Sequence, residues 1–415
     1  MPATLPNLRI NSDRLWASLM ELAQIGATAK GGVCRLALTD LDRQARDLFI
    51  RWCEEAGCTV TVDGIGNIFA RRSGRDNALP PVMTGSHIDT QPTGGKFDGA
   101  YGVMAGLEVV RTLNEADFET DAPVEIVVWT NEEGTRFAPA MIGSGAFAKV
   151  FDLSKELGKT DLEGKTIGGE LERIGYNGAT PVGGRKIGAY FEAHIEQGPI
   201  LEAESKTIGI VTGAQGQRWY EVTVVGQEAH AGPTPMVRRK DALVAASRMI
   251  DRVNRIGHAH QPGACATVGH VQVMPNSRNV IPGRVFFTID FRNPSDDALT
   301  AMDRDLRQAC DEIAAAAGCT VEVKEFWYFA PTPFDPACIA AVRAGAERGG
   351  YSHRDIISGA GHDAVYLAQV APTGMIFVPC EDGISHNEIE NATPQDLAAG
   401  CAVLLHAVLA RAVRG

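Results

Sequence analysis

The nine cysteines (34, 53, 58, 265, 310, 319, 338, 380 and 401) are odd in number, scattered and without a Cys-x-x-Cys, which excludes a disulfide framework and a zinc knuckle. They fit reduced, mostly buried thiols in a cytoplasmic protein. Positive charge is scarce too: the net charge is -12 and the longest basic block is Arg238-Arg239-Lys240. That excludes a nucleic-acid footprint and leaves a small molecule as the expected partner. Met1 to Asn11 lacks the apolar core of a secretory leader. The longest apolar stretch, Leu397 to Val413, is interrupted by His406 and Arg411 and is too short to span a bilayer comfortably. A packed C-terminal helix is expected there, and no membrane. No internal repeat or low-complexity tract is evident.

At 415 residues the chain exceeds one ordinary core, so two domains are expected. Asn11-Ser12-Asp13 caps a helix carrying Leu15, Trp16, Leu19 and Leu22, and a second helix runs from about Asp42 to Gly57. Apolar runs at Pro81–Thr84, Pro123–Trp129 and Ile187–Ala193 predict buried strands alternating with helices, hence an α/β sheet covered on both faces. The pattern changes near Gly213. From there the order is strand (220–225), helix (240–254), strand (266–274), strand (285–292), helix (297–316), strand (320–324), the split β-α-β-β-α-β arrangement of a ferredoxin-like α+β domain. The expected division is residues 1–213 and 330–415 for an α/β metal-binding domain, with 214–329 inserted as a lid and dimerisation domain.

The placement of metal-ligating side chains explains why that first domain is expected to bind metal. His87, Asp98, Glu133, His194 and His386 each sit just beyond an apolar run or in the Gly-rich turn after one, as in a two-metal site built at the strand ends of an α/β sheet. In Gly85-Ser86-His87-Ile88-Asp89 residues two apart share a side, so the Asp89 carboxylate is expected to accept the second imidazole N–H of His87. Glu132 precedes Glu133, giving one carboxylate for metal and one as general base toward water. His230, in Gly226–Pro233, and Gly361-His362, in Ser358–Ala364, lie in Gly-rich loops of the kind that contact ligands. His258, His260, His270, His353 and His406 have surface, loop or packed-helix contexts.

The strings Gly85-Ser86-His87-Ile88-Asp89-Thr90, Gly95-Lys96-Phe97-Asp98-Gly99, Thr130-Asn131-Glu132-Glu133-Gly134, Glu192–Pro199 and Ile384-Ser385-His386-Asn387 resemble M20-type dinuclear metallohydrolases. The resemblance is closest to the hydantoinase/carbamoylase amidase branch, which includes N-carbamoyl-L-amino acid hydrolases, β-ureidopropionases and allantoate amidohydrolases. It implies two divalent ions per subunit, Zn²⁺ first, with Mn²⁺, Co²⁺ and Ni²⁺ also suited to these ligands. It further implies that Asp98 bridges the ions, that His87 shares an ion with neither His194 nor His386, and that the partition is otherwise open. Glu132 matches the general base and Asp89 the His-orienting carboxylate. Gln197, His230, Asn279 and Arg292 match groups that hold a carbamoyl amino acid, His230 also facing the developing oxyanion, and homodimerisation through the inserted domain is implied. The expected reaction is hydrolysis of an N-carbamoyl amino acid to amino acid, carbon dioxide and ammonia. The alternatives are an allantoate amidohydrolase, a peptidase of the same fold, and a non-catalytic metal-bound binding protein, against which the retained Glu132 argues.

Overall fold

A computed structural model describes residues 8–414. Most of the Met1–Asn11 stretch considered for a leader therefore lies outside the described residues. The chain divides into two compact units, one made of residues 1–213 and 333–415 and the other of 214–332.

The first unit is built on a nine-stranded mixed sheet. Its strand order is Thr59–Val62, Ile68–Arg72, Val124–Trp129, Val82–His87, Ala189–Ile195, Thr373–Val378, Ile208–Ala214 and Thr332–Pro333, with His353–Ser358 paired to Ile208–Ala214. The four central strands are mutually parallel and buried along their whole length, which is why they read as continuous apolar runs. An antiparallel hairpin flanks them on one side and the antiparallel Ile208–Ala214 on the other. The helix Ala100–Glu115 lies so close to the sheet that a Cβ on Gly102 would sit 2.5 Å from the Ala193 carbonyl. The helix Pro394–Ala412 is apolar and long enough to cross a membrane, but Leu397, Val403, Leu404, Val408 and Leu409 belong to the core of this unit. Each such side chain contributes roughly 1.5–3 kcal/mol of burial.

The second unit is a four-stranded antiparallel sheet, ordered Thr320–Phe329, Gly216–Val225, Arg284–Asn293, Cys265–Met274. Helices Ala242–Ala259 and Asp296–Ala317 complete the β-α-β-β-α-β order, and the strands stand fourth, first, third, second across the sheet. Period-2 alternation buries Tyr220, Val222 and Val224 with Val285, Phe287, Ile289 and Phe291 in one core shared with those helices. The second unit ends at Thr332, and Thr332–Pro333 forms a short strand of the nine-stranded sheet.

Candidate metal centre

Four parallel strands deliver their C-terminal ends to one place. His87 ends its strand, His194 is the penultimate residue of the neighbouring parallel strand, and counting on from the Thr84–Phe191 pair sets the two histidines level. Neighbouring strands run roughly 4.8 Å apart. The rings accordingly sit with centroids 6.2 Å apart. The strand Val124–Trp129 leads to Glu132 and Glu133, and Thr373–Val378 leads into the loop that carries His386. Asp98 precedes the helix Ala100–Glu115, and Gly99, at φ 62°, passes so near His87 that a Cβ there would lie 2.4 Å from the ring.

The donors sort into two groups that share Asp98. His87, Asp98 and His194 form one, and Asp98, Glu133 and His386 the other. Asp98 Oδ1 faces His194 Nε2 at 3.2 Å and His87 Nε2 at 3.6 Å, while Oδ2 faces His386 Nε2 at 3.3 Å. Glu133 Oε2 lies 3.4 Å from the same His386 nitrogen. The expectation that His87 and His194 serve different ions is therefore corrected: level positions on adjacent parallel strands place them in one group.

Hydrogen bonds on the far side of each ring show what this arrangement accepts. His87 Nδ1 donates to the main-chain carbonyl of Asp89 at 2.9 Å, and His194 Nδ1 to that of Ile195 at 2.9 Å. A carbonyl only accepts, so both Nδ1 atoms carry hydrogen, and in the neutral rings both Nε2 atoms present lone pairs toward a carboxylate. The Gly99 N–H donates to His194 Nε2 at 3.1 Å, as an acceptor nitrogen requires. Lone pair facing carboxylate oxygen calls for a cation between them, and the donor set fits a divalent metal. Without metal that role falls to protons. Burial opposes charge on both imidazoles, yet Glu132, Asp98 and Asp89 outweigh it and raise His87, and Asp98 and Glu192 raise His194. His386 is raised by its bond to Asp98. Burial likewise opposes ionisation of Asp98, but the three histidines hold it well below the usual carboxylate range.

Glu132 stands beside these groups, with Oε2 3.4 Å from His87 Nε2. It is buried, and burial pushes its carboxyl well above the usual range. Burial and Asp98 push Glu133 up to about 7. Asp89 departs from its expected role: its carboxylate is 3.8 Å from His87 Nδ1, and its main-chain carbonyl orients the ring instead. The carboxylate turns to the backbone N–H groups of Glu132 and Glu133. Gln91, which had no assigned role, donates to both oxygens of Glu133, from its main chain at 3.0 Å and its side chain at 2.7 Å.

Of the expected substrate contacts, three lie with the centre in the first unit. Gln197 donates to Asp98 Oδ2 at 2.9 Å and leaves its own Oε1 buried without a hydrogen-bond partner. His362 packs against His194 with centroids 4.5 Å apart and planes tilted by 59°, and burial holds its imidazole well below the usual range. Gly361 precedes it. A third donor group, Glu192, His194 and His362, is less open to metal, because Ser86, Tyr190 and the Ala364 N–H already occupy Glu192. His230, Asn279 and Arg292 belong to the second unit. His230 is exposed and pairs with Val280 in a short ladder beside Asn279, and Arg292 is bonded to Asp290. Sequence reasoning missed Glu192, Ser385 and Glu390. The string signals Glu192–Pro199 and Ile384–Asn387 contained the first two without distinguishing them.

The profile of Peptidase family M20/M25/M40 matches residues 83–410. This chain belongs to that family. Within it, the chain is 50% identical to an N-carbamoyl-L-amino-acid amidohydrolase of Rhizobium meliloti over 99% of this chain and 98% of that protein. An allantoate amidohydrolase of Bacillus subtilis is 35% identical, over 92% and 93% of the two chains. A solved amidase of the hydantoinase/carbamoylase family from Burkholderia multivorans superposes with a TM-score of 0.94 at 65% identity, covering 99% of this chain and all of that one. Family membership and the His/Asp/Glu cluster together point to divalent metal binding.

Proposed function

We propose that this M20-family protein holds two divalent ions and hydrolyses the N-carbamoyl group of N-carbamoyl-L-amino acids, releasing the amino acid, carbon dioxide and ammonia. The observation that carries the proposal is Asp98, which presents one oxygen to each donor group while Glu132 stands at 3.4 Å from His87. The close likeness to N-carbamoyl-L-amino-acid amidohydrolases supports the choice of substrate. Zn²⁺ suits the donors, as do Mn²⁺, Co²⁺ and Ni²⁺. When bound, such ions polarise a carbonyl oxygen and lower the pKa of water.

The protein's own groups then divide the work. Glu132 takes a proton from water and returns it to the leaving nitrogen, a role suited to a carboxyl raised by burial. The unpartnered Gln197 Oε1 is an acceptor for the terminal carbamoyl NH₂. His362, held neutral, keeps an N–H for an oxygen of the substrate. Arg292, His230 and Asn279 of the second unit are assigned to the substrate by their match to the family's substrate-holding groups, Arg292 with a planar fork suited to a free carboxylate. The nine free thiols fit a reducing, cytoplasmic setting. The uncharged, exposed edge strand Cys265–Met274 supports pairing with a second copy. Val271→Lys should then turn a dimer into a monomer by sedimentation.

Metal-reconstituted protein assayed on several N-carbamoyl-L-amino acids, N-carbamoyl-β-alanine, allantoate and a dipeptide tests the substrate. The highest kcat/KM is expected on an N-carbamoyl-L-amino acid. Preference for allantoate would move the protein to that activity, and preference for the dipeptide would overturn the ureido-acid reading.

A further inference from the structure

Glu390 is 3% exposed while the neighbouring Ile389 is 60% exposed, the reverse of what hydropathy dictates. A carboxylate is costly to bury unless several donors meet it. Here three do. Glu390 Oε1 accepts the backbone N–H of Phe97 at 3.0 Å and of Asp98 at 3.1 Å, and Oε2 accepts the Ser385 hydroxyl at 2.8 Å. The same Ser385 hydroxyl stands 3.1 Å from Asp98 Oδ2. The turn before Asp98 is shaped around this side chain, since a Cβ on Gly95 would lie 2.1 Å from the Glu390 carboxyl carbon. One side chain thus ties the segment carrying Asp98 to the segment carrying His386, which are far apart in sequence.

The two halves of the centre depend on this brace unequally. His87 and His194 are set by strand register and by the carbonyls of Asp89 and Ile195. His386 sits in a loop, at φ 54° and half exposed, and no neighbouring strand fixes it. Asp98 Oδ2, the oxygen that faces His386, is the one reached by Ser385.

We propose that Glu390 is the positioning residue for the Asp98–Glu133–His386 half of the centre, bracing Asp98 and His386 in register for an ion held there, while the His87–Asp98–His194 half stands without it. The proposal rests on the two-ion reading above. The test is equilibrium dialysis of metal-free protein against buffered Zn²⁺, with bound zinc measured by atomic emission and folding followed by the thermal midpoint of the metal-free form. Wild type should show two classes of site. Glu390→Ala should weaken one class about 10- to 100-fold and leave the other unchanged. Glu133→Ala should weaken the same class, and Glu390→Ala added to it should cause no further loss in the other. Glu390→Gln, which keeps an oxygen for the two N–H groups and can donate to the Ser385 oxygen, should restore most of the affinity. Ser385→Ala should weaken that class alone, and carries the test if Glu390→Ala does not fold. Two classes that fall together, or neither falling, in Glu390→Ala or Ser385→Ala would overturn the bracing role. A wild type that binds fewer than two zinc ions would overturn the two-ion reading itself, and the bracing role with it.

Discussion

The carboxylate of Asp89 accepts the backbone N–H of Glu132 through one oxygen and that of Glu133 through the other, each at 3.2 Å. One buried anion thereby fixes the turn in which successive carboxylates diverge, Glu132 toward His87 and Glu133 toward His386. The preceding Asn131 takes a left-handed φ of 55° to make that turn.

Asp89→Asn should therefore damage turnover more than metal binding. It keeps one acceptor but sets an NH₂ against the other N–H, and a lost hydrogen bond to a charged group is worth about 1.5–3 kcal/mol. The expected result is a kcat about 10- to 100-fold lower at unchanged zinc content. Loss of zinc in step with activity would mean that the side chain orients His87 after all.

The metal should compete with protons. His87, His194 and His386 have raised pKa values in the metal-free fold, so each imidazole stabilises that fold most below its unfolded pKa, and loses the contribution as pH rises through its folded pKa. Glu132 and Glu133, also raised, act in the same direction. Metal binding releases the imidazole protons and gains with rising pH. At fixed free Zn²⁺ the gap in thermal midpoint between loaded and metal-free protein should widen from about pH 6 to about pH 8. A gap that narrows would show that protonated histidines do not occupy the metal positions.

The five candidate ligands were legible because strand ends in a parallel sheet announce themselves as apolar runs that stop at a polar residue. His87 and His194 are the clearest cases. Their membership of one donor group was not legible, since it depends on strand order and register, which a single sequence does not supply. The role of Asp89 was misjudged for a related reason: the two-residue spacing is right, but the strand ends at His87 and the chain beyond it brings the carbonyl, not the carboxylate, to Nδ1. Glu390 gave no signal, because a Glu beside an Ile in a polar loop reads as the exposed partner. The ferredoxin-like order was legible from alternating runs such as Val285–Arg292, whereas the short ladder at Ala229–His230 and Val280–Ile281 was not.

Arg292 offers a test of substrate recognition that is separate from the metal. Arg292→Ala should cost about 30- to 1000-fold in kcat/KM on a carbamoyl amino acid, from roughly 2–4 kcal/mol for a charge-assisted pair, and leave zinc content unchanged. Against the matched carboxamide the wild type should strongly prefer the acid, and the variant should lose most of that preference. Equal preference in both proteins would make Arg292 only the structural partner of Asp290.

The most direct measurement is turnover of an N-carbamoyl-L-amino acid by Glu132→Gln, with zinc content determined on the same sample. Glu132 stands beside the donor groups and its proposed role is proton transfer, so the variant should keep the wild-type zinc content and lose about a thousandfold or more in kcat. Near-normal turnover, or loss of zinc along with activity, would contradict Glu132 as the base and with it the proposed mechanism.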